Sequence, residues 1–262
     1  MGKLTDALKK AAQERLARLD KIEQKADVKY QFIARKKVDS SFDPRIVSLH
    51  DPKSAVAEQY RTLRTNLQAL KTKQPLKALT ITSAAHSEGK TITAINLAIS
   101  MARDLNKKQI LLVDGDLRRA TITRYLGVKS EGGLSELLSN GQVVDDCLLD
   151  IGIANLTVLP AGKPPHNAAE LLGSAKMHNL ISQFKEKYDY VIFDSPPIIP
   201  VTDAGVLGAQ TDGVVMVVQA NRTQKGVVEH SVTLLKQAQA KLLGYILTNI
   251  QYHIPDYIYR YL

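Results

Sequence analysis

Hydrophobic residues recur with two distinct spacings over most of the chain. From residue 76 onward, short apolar runs alternate with longer segments in which apolar residues recur every three or four positions. The short runs predict buried strands at 76–82, 109–113, 156–159, 190–193, 213–219 and 244–249. The longer segments, with one before residue 76, predict helices at 55–70, 89–105, 119–126, 133–139, 177–187, 202–209 and 226–241. Such alternation predicts a doubly wound α/β fold, in which helices cover both faces of a mostly parallel sheet.

The first 50 residues have a different pattern. Between residues 4 and 22, apolar side chains recur at helical spacing and predict an amphipathic helix with a basic opposite face. This helix either packs on the body of the protein or docks onto a partner or an anionic membrane surface. Residues 25–50 are polar and irregular and predict a linker. The chain therefore divides into a basic helix and linker (1–50), a main α/β domain (51–250) and a tyrosine-rich tail (251–262).

Composition and charge narrow the classes of partner. The formal net charge of +9 attracts nucleic acid, anionic membranes or acidic ligands. The chain has no Trp and only 5% aromatic residues, which leaves little material for base stacking, so we expect no nucleic-acid partner. No apolar run approaches the roughly 20 residues of a membrane span. The single cysteine, Cys147, excludes a disulfide framework and is interpreted as an inert thiol.

A phosphate-binding loop is predicted between the first core strand and the helix after it. The segment 83–91 ends in Gly89, Lys90 and Thr91, as in the P-loop pattern G-x-x-x-x-G-K-[ST], but Ala84 replaces the first glycine. Backbone N–H groups of such a loop bind phosphates, the lysine reaches the β- and γ-phosphates, and the hydroxyl ligates Mg²⁺. The expected nucleotide-binding residues are Ser87, Glu88, Gly89, Lys90, Thr91 and Ile92.

Carboxylates follow two of the other predicted strands. Asp114 and Asp116 follow the strand at 109–113, and Asp194 follows the strand at 190–193. A single Asp at such a position is often a helix cap, but three on converging strands form the acidic pocket that Mg²⁺ needs. Arg118, like the neighbouring Arg119, either stabilises charge on a transferring phosphoryl group or is a surface charge.

Taken in order, these motifs resemble those of the bacterial tyrosine autokinases of capsule and exopolysaccharide assembly. The segments 83–91, 114–119 and 194–197 are similar to that family's Walker A, Walker A′ and Walker B motifs, and the resemblance runs from about residue 44 to the C-terminus. It implies an ATP- and Mg²⁺-dependent protein-tyrosine kinase that modifies its own tail in trans and regulates polysaccharide synthesis and export. The implied catalytic residues are Lys90, Asp114, Asp116 and Arg118, and the implied metal ligands are Thr91, Asp116 and Asp194. Asp114 is the candidate general base, and Asp116 is the alternative.

Two further features carry the resemblance outside the nucleotide site. Glu58, Arg61 and Arg64 match the family's E-x-x-R-x-x-R helix, which implies ring-like self-association; the alternative is a solvated charged face. The tail resembles the family's phosphorylation cluster, although it could instead pack through its rings. The implied phosphoacceptors are Tyr252, Tyr257, Tyr259 and Tyr261. The chain departs from the family in His86-Ser87, where Pro-Gly is common.

Without a predicted span, the chain resembles the separate cytoplasmic kinase type. We therefore expect it to lie at the inner face of the cell membrane through a transmembrane activator protein. Partition and division ATPases of the same superfamily are the nearest alternative, but their loop carries a second lysine where this chain has Ala85. A nucleotide-dependent scaffold without catalysis is the other alternative, and the retained lysine, threonine and aspartates of the motifs disfavour it.

Overall fold

The computed structural model describes residues 36–37, 41–71, 75–140 and 142–250. In these residues the strands are β1 (Lys36–Lys37), β2 (Ala78–Ser83), β3 (Ile110–Asp114), β4 (Leu149–Asp150), β5 (Leu156–Leu159), β6 (Tyr190–Asp194), β7 (Gly213–Gln219) and β8 (Leu242–Thr248). The helices are α1 (Val47–His50), α2 (Ala55–Lys71), α3 (Lys90–Ala102), α4 (Thr121–Leu126), α5 (Leu134–Asn140), α6 (Val144–Cys147), α7 (Ala168–Leu172), α8 (Ala175–Lys187), α9 (Asp203–Gln210) and α10 (Lys225–Gln237). The amphipathic helix predicted over residues 4–22 and the tyrosine-rich tail lie outside the described residues.

The strands of the described residues form one sheet in the order β1-β4-β5-β3-β6-β2-β7-β8. Each neighbouring pair is parallel except β4 and β5, which are antiparallel. The prediction of a doubly wound, mostly parallel α/β fold is therefore confirmed. The register of β3 and β6 aligns Asp114 with Asp194, and β2 lies next to β6. The carboxyl ends of three central strands thus meet at one edge of the sheet, where ligands of such folds bind.

Apolar side chains of the central strands alternate between two cores. In β3, Ile110 and Leu112 pack in one core with α3, and Leu111 and Val113 pack in the other with α8. This alternation follows from the two-residue period of a strand and explains why the run is apolar without interruption. Every residue of α3 except Ile92 is buried, because α3 lies between the sheet and α2. A helix enclosed in this way holds its N-terminus, with Lys90, in a fixed place beside the sheet.

The end of the predicted linker belongs to the folded domain. Ile46 is fully buried in the core next to α3, and the backbone N–H of Ser48 donates to Asn96 Oδ1 at 2.8 Å. The backbone N–H groups of Ser41 and Asp43 donate to carbonyl oxygens at the end of α4. The interpretation of residues 41–50 as linker is therefore wrong. Phe42, Ile46 and Leu49 pack on this core, but they lie among polar residues and beside Pro44, which is why the segment was interpreted as a linker.

The pattern also missed the shortest elements. It did not predict β1, β4, α1, α6 and α7, each of two to five residues, because such lengths complete less than two periods of a strand or helix. The N-terminal boundary of α8 lies two residues before the expected one, because the Ser174 hydroxyl caps the helix by accepting from the N–H of Met177. Of the helices in the described residues, none combines the length and apolarity that crossing a membrane requires.

Candidate active site

The loop between β2 and α3 presents backbone donors at a helix N-terminus. Gly89 precedes α3 with φ +95°, a left-handed conformation that strains any other residue. Within the described part of the chain, and apart from the turn at residues 86–87, the N–H groups of residues 86–91 donate to no protein acceptor. Ser87 is exposed, and Ile92 is half-buried one turn into the helix. Unused N–H groups at the positive end of a helix form an anion-binding cradle, so this loop fits a phosphate chain.

Lys90 lies among carboxylates at the edge of the sheet. Its Nζ is 3.3 Å from Asp116 Oδ2 and 3.8 Å from Asp194 Oδ1. The Thr91 hydroxyl donates to Asp194 Oδ2 at 2.7 Å and lies 3.2 Å from the Thr121 hydroxyl. The structure thus brings together the lysine, the threonine and the strand-end aspartates of the three motifs. Thr121 was not among the predicted site residues, because an isolated threonine carries no motif.

Burial governs the electrostatics of this cluster. It raises the pKa of Asp194 to about 6, against the opposing influence of Lys90 and the Thr91 hydroxyl. Burial also raises the pKa of Asp114 well above its ordinary value, and the negative charge of Asp194 adds to this effect. Burial by itself would lower the pKa of Lys90, but Asp194, Asp116 and Asp114 together raise it. Lys90 is therefore a charged ammonium that compensates acidic neighbours in a largely buried site.

Asp114 and Asp116 have different surroundings. The oxygens of Asp114 accept from the backbone N–H groups of Asp116, at 3.2 Å, and of Ile122, at 3.0 Å. Asp116 Oδ1 accepts from the N–H of Arg119 at 3.2 Å, while its Oδ2 faces Lys90. Asp114 therefore shapes the loop after β3, and Asp116 presents an oxygen to the lysine.

Gly115, between these two aspartates, permits the close approach of β3 and β6. Its N–H donates to the Asp194 carbonyl oxygen at 2.7 Å. A Cβ at this position would lie only 2.8 Å from that same oxygen. A larger residue would push the two strand ends apart and with them the carboxylates that they carry.

Arg118 contacts a buried carboxylate. Its Nε lies 2.7 Å from Asp203 Oδ2 and its Nη2 lies 3.0 Å from Asp203 Oδ1, a bidentate pair. Asp203 is fully buried at the start of α9, while 42% of the Arg118 side chain is exposed. The pair ties the loop after β3 to the segment after β6. Nothing in the sequence motifs predicted that Asp203 pairs with Arg118, because the two residues are 85 positions apart.

The carboxylate cluster has oxygen ligands that suit a cation, but they are not already arranged around a metal position. In the described residues, no group of three His, Cys, Asp or Glu side chains has the arrangement of a metal site. Lys90 occupies the space between Asp116 and Asp194 instead. Asp194 Oδ1 is nevertheless buried without a hydrogen-bond partner among the described residues. A buried carboxylate oxygen beside the Thr91 hydroxyl is a donor set that suits Mg²⁺.

The predicted self-association motif is divided between two environments. Arg61 pairs with Glu58 and donates from Nη1 to the Pro52 carbonyl oxygen at 2.6 Å, on an exposed stretch of α2. Arg64 instead donates from Nη1 to the Ser100 carbonyl oxygen at 2.8 Å, near the end of α3. Arg64 therefore joins α2 to the helix that carries Lys90. The four predicted phosphoacceptor tyrosines lie outside the described residues.

Comparison with known proteins places this site in a family. A family model described as an AAA domain matches residues 77–246. Tyrosine-protein kinase YwqD of Bacillus subtilis (strain 168) is 37% identical over 213 residues, covering 81% of this chain and 89% of YwqD. Putative tyrosine-protein kinase CapB of Staphylococcus aureus is 34% identical over 219 residues, covering 83% of this chain and 93% of CapB. The chain belongs to the bacterial tyrosine kinase family. The resemblance that the motifs indicated is confirmed, and so is the prediction of a protein-tyrosine kinase.

Solved structures agree with this assignment. The kinase domain of Escherichia coli tyrosine kinase ETK superposes with a TM-score of 0.73 at 28% identity, covering 80% of this chain and 83% of that domain. The septum site-determining protein MinD of Pyrococcus horikoshii superposes with a TM-score of 0.57 at 23% identity, over 70% of this chain and 75% of MinD. The likeness to MinD shows the fold alone. The kinase assignment is therefore preferred to the division-ATPase alternative.

Proposed function

We propose that this kinase transfers the γ-phosphoryl group of ATP to tyrosines in the C-terminal tail of another copy of itself. The proposed acceptors are Tyr252, Tyr257, Tyr259 and Tyr261. The observation that carries the proposal is the position of Lys90, whose ammonium group lies between Asp116 and Asp194 at the N-terminus of α3. A lysine, an anion-binding loop and acidic strand ends at one edge of a sheet are the parts that phosphoryl transfer requires.

Lys90 and the loop N–H groups bind the triphosphate in this proposal. Thr91 and Asp194, together with Asp116, would hold Mg²⁺. A bound Mg²⁺ neutralises charge on the phosphate oxygens. Lys90 contacts the same carboxylates, so its ammonium group must leave them for the β- and γ-phosphates when nucleotide and metal bind. Support for this exchange comes from Asp194 Oδ1, which has no hydrogen-bond partner among the described residues.

The transfer also needs a group that accepts the tyrosine proton. The phenolic oxygen forms a bond to the γ-phosphorus as the bond to the β-bridging oxygen breaks, and ADP leaves. Asp114 is the base that the resemblance implies, but both of its oxygens accept backbone N–H groups. Asp116 Oδ2 accepts no backbone N–H group and becomes free when Lys90 moves to the phosphates, so we favour Asp116 as the base, with Asp114 positioning the loop. We assign Arg118 a positioning role through Asp203.

The proposal extends to the assembly. Self-association runs through the exposed stretch of α2 and forms a ring, which brings the tail of one subunit to the site of the next. A transmembrane activator protein holds this ring at the inner face of the cell membrane, where phosphorylation regulates exopolysaccharide or capsule synthesis and export. The support is the family resemblance of the α2 motif and of the tail, together with the exposure of Glu58.

Purified protein incubated with ATP and Mg²⁺ tests the activity. We expect mass spectrometry to find phosphate on the C-terminal peptide, and Lys90→Met to abolish it, because lost electrostatic contacts to a phosphoryl group cost several kcal/mol of transition-state stabilisation. Lys90→Arg is the matched control for folding, since it keeps the charge but not the shape of the ammonium group. Near-normal modification of a folded Lys90→Met protein would contradict the assignment.

A mixing experiment tests transfer between copies. One protein carries Lys90→Met and an intact tail, and the other carries an intact site with all four tail tyrosines changed to Phe. We expect phosphate on the tail of the Lys90→Met protein only when both are present. Phosphate on the wild-type tail at a rate independent of protein concentration, with none on the mixed Lys90→Met tail, would show transfer within one chain instead.

A further inference from the structure

A carboxylate lies in the middle of the phosphate-binding loop. Glu88 is only 2% exposed and immediately precedes the glycine before α3. A negative charge in a loop whose N–H groups bind phosphates repels the ligand unless the carboxylate is turned away and compensated. Here Glu88 Oε2 accepts from the N–H of Ala85 at 2.8 Å, and Oε1 accepts from the Thr223 hydroxyl. Glu88 therefore directs its charge into the protein and closes the loop on itself.

The loop is braced a second time by the last strand of the sheet. The Thr248 hydroxyl, at the end of β8, donates to the Glu88 carbonyl oxygen at 2.7 Å. A Cβ built on Gly89 would lie 3.4 Å from Thr248 Cγ2, so the threonine methyl covers the loop glycine in ordinary contact. The Thr248 carbonyl oxygen accepts from the N–H of Ala220 at 2.9 Å, which ties β8 to the end of β7.

We propose that Thr223, Glu88 and Thr248 are positioning residues of the nucleotide site. Together they hold the backbone of the phosphate-binding loop from β8 and from the loop after β7, so that its N–H groups point to the phosphates before ATP arrives. This inference rests on the proposed ATP-dependent function. It adds residues from outside the three nucleotide motifs, and it gives the Glu88 carboxylate a role that does not involve contact with the ligand.

The need for such bracing follows from the loop sequence. Ser87 adopts φ +64°, a left-handed conformation that costs free energy for a residue other than glycine. Ala84 also replaces the first glycine of the P-loop pattern. A strained loop keeps its bound-state geometry only when surrounding contacts hold it there. The two hydroxyls and the Glu88 carboxylate are among those contacts.

Direct nucleotide binding to the full chain tests the proposal. The probe is a fluorescent ATP analogue with Mg²⁺, titrated against wild type, Thr248→Val and Thr248→Ser. Thr248→Val keeps the shape of the side chain and removes the hydroxyl, whereas Thr248→Ser keeps the hydroxyl. We expect Thr248→Val to raise the dissociation constant about fivefold to tenfold, the effect of one lost hydrogen bond. Thr248→Ser should restore most of the affinity.

Kinetic measurements and a matched control variant distinguish positioning of the phosphate-binding loop by Thr248 from a general stabilisation of β8. The KM for ATP should rise with little change in kcat, because the groups that act on the transferring phosphoryl remain. Thr233→Val is the control, since that hydroxyl also donates to a backbone carbonyl oxygen but on an exposed face of α10. If Thr248→Val fails to fold, Thr223→Val removes the other hydroxyl and is measured in its place.

The outcomes distinguish this inference from the proposed function. Unchanged affinity in a folded Thr248→Val or Thr223→Val protein would overturn the positioning role while leaving ATP-dependent transfer intact. An equal loss of affinity in Thr233→Val would overturn it as well. Absence of binding by wild type would instead contradict the nucleotide-dependent function as a whole.

Discussion

At the scale of single residues, the active site depends on charges that compensate each other out of water. Lys90 balances Asp116 and Asp194, while Arg118 balances Asp203 at a second buried point. Removing one member of such a pair leaves the other as an uncompensated buried charge, which is more costly than removing both. The Arg118–Asp203 pair therefore offers a test of what Arg118 does.

We expect Arg118→Ala to lower the free energy of unfolding by about 2 to 3 kcal/mol, somewhat less than for a fully buried pair because Arg118 is partly exposed. Adding Asp203→Asn should recover part of this loss, because the buried charge is then gone. Urea unfolding of both single variants and the double variant measures the coupling. Losses that simply add, together with a loss of transfer in Arg118→Ala alone, would indicate that Arg118 acts on the phosphoryl group instead.

Residue identities in the site could be read from the sequence where a motif fixed them. The pattern Gly89-Lys90-Thr91 and the aspartates at strand ends need only local order and strand alternation to be found. Glu88 was expected to bind nucleotide as a residue of the loop, but no motif predicted the contacts of its carboxylate with Ala85 and Thr223. Thr248 lies 160 positions from Glu88. Contacts over such separations depend on which strands become neighbours, and no spacing pattern encodes them.

At the scale of elements, a partly buried aspartate joins β2 and β7 at the end of the sheet opposite the active site. Asp212, just before β7, accepts from the backbone N–H groups of Lys77 and Ala78 at 2.7 and 2.8 Å, and from Lys185 Nζ at 2.6 Å. Burial alone would raise the pKa of Asp212, but Lys185 and the two N–H groups lower it overall. A lowered pKa means that the folded state favours the charged carboxylate.

We expect Asp212→Asn to lower the free energy of unfolding by about 2 kcal/mol at pH 7, the usual worth of hydrogen bonds to a charged group. The contribution of Asp212 is present above its unfolded pKa of 3.8 and is lost as the pH falls through the lower folded pKa. The difference between wild type and variant should therefore shrink below pH 4. Denaturant unfolding between pH 3 and 7 measures it, with exposed Asp51→Asn as control. A difference independent of pH would contradict the charge argument.

The long elements were predictable, and the short ones were not. β7 and α8 span several periods, so their patterns identified them. β4 contributes two residues to the sheet and is antiparallel to β5, an arrangement that only the finished sheet defines. Residues 41–50 were interpreted as a polar linker but bury Ile46, and Phe42 and Leu49 pack against the same core.

The two arginines of α2 have different expected roles, one in contacts between subunits and the other in packing within one chain. Arg61 pairs with Glu58 on the surface, while Arg64 bonds to α3. We expect Glu58→Ala with Arg61→Ala to yield smaller species in light scattering and weaker transfer between copies, with little change in melting temperature. Arg64→Ala should lower the melting temperature by a few degrees, because it removes a bond within one chain. An unchanged mass distribution in the double variant would mean that Glu58 and Arg61 form only a solvated face.

At the scale of the whole molecule, the largest change in charge that phosphorylation brings falls on the tail. Each phosphotyrosine adds about −1.5 to −2 charges at neutral pH, so four would add roughly −6 to −8 to residues 252–262. The only other formally charged side chains there are Asp256 and Arg260, which cancel. A tail so charged should be repelled from a site that is lined by aspartates and holds a nucleotide.

We therefore expect the unmodified tail to bind a neighbouring subunit and hold the ring together, and the phosphorylated tail to release it. ATP use would then drive cycles of assembly and disassembly with the membrane partner. Sedimentation velocity of the unmodified and the fully phosphorylated protein, at matched concentration and ionic strength, measures the difference. Raising the salt concentration should reduce it, because exposed charges are screened within about 10 Å at 0.1 M salt. Equal oligomer size in both forms would show that the tail charge does not control assembly.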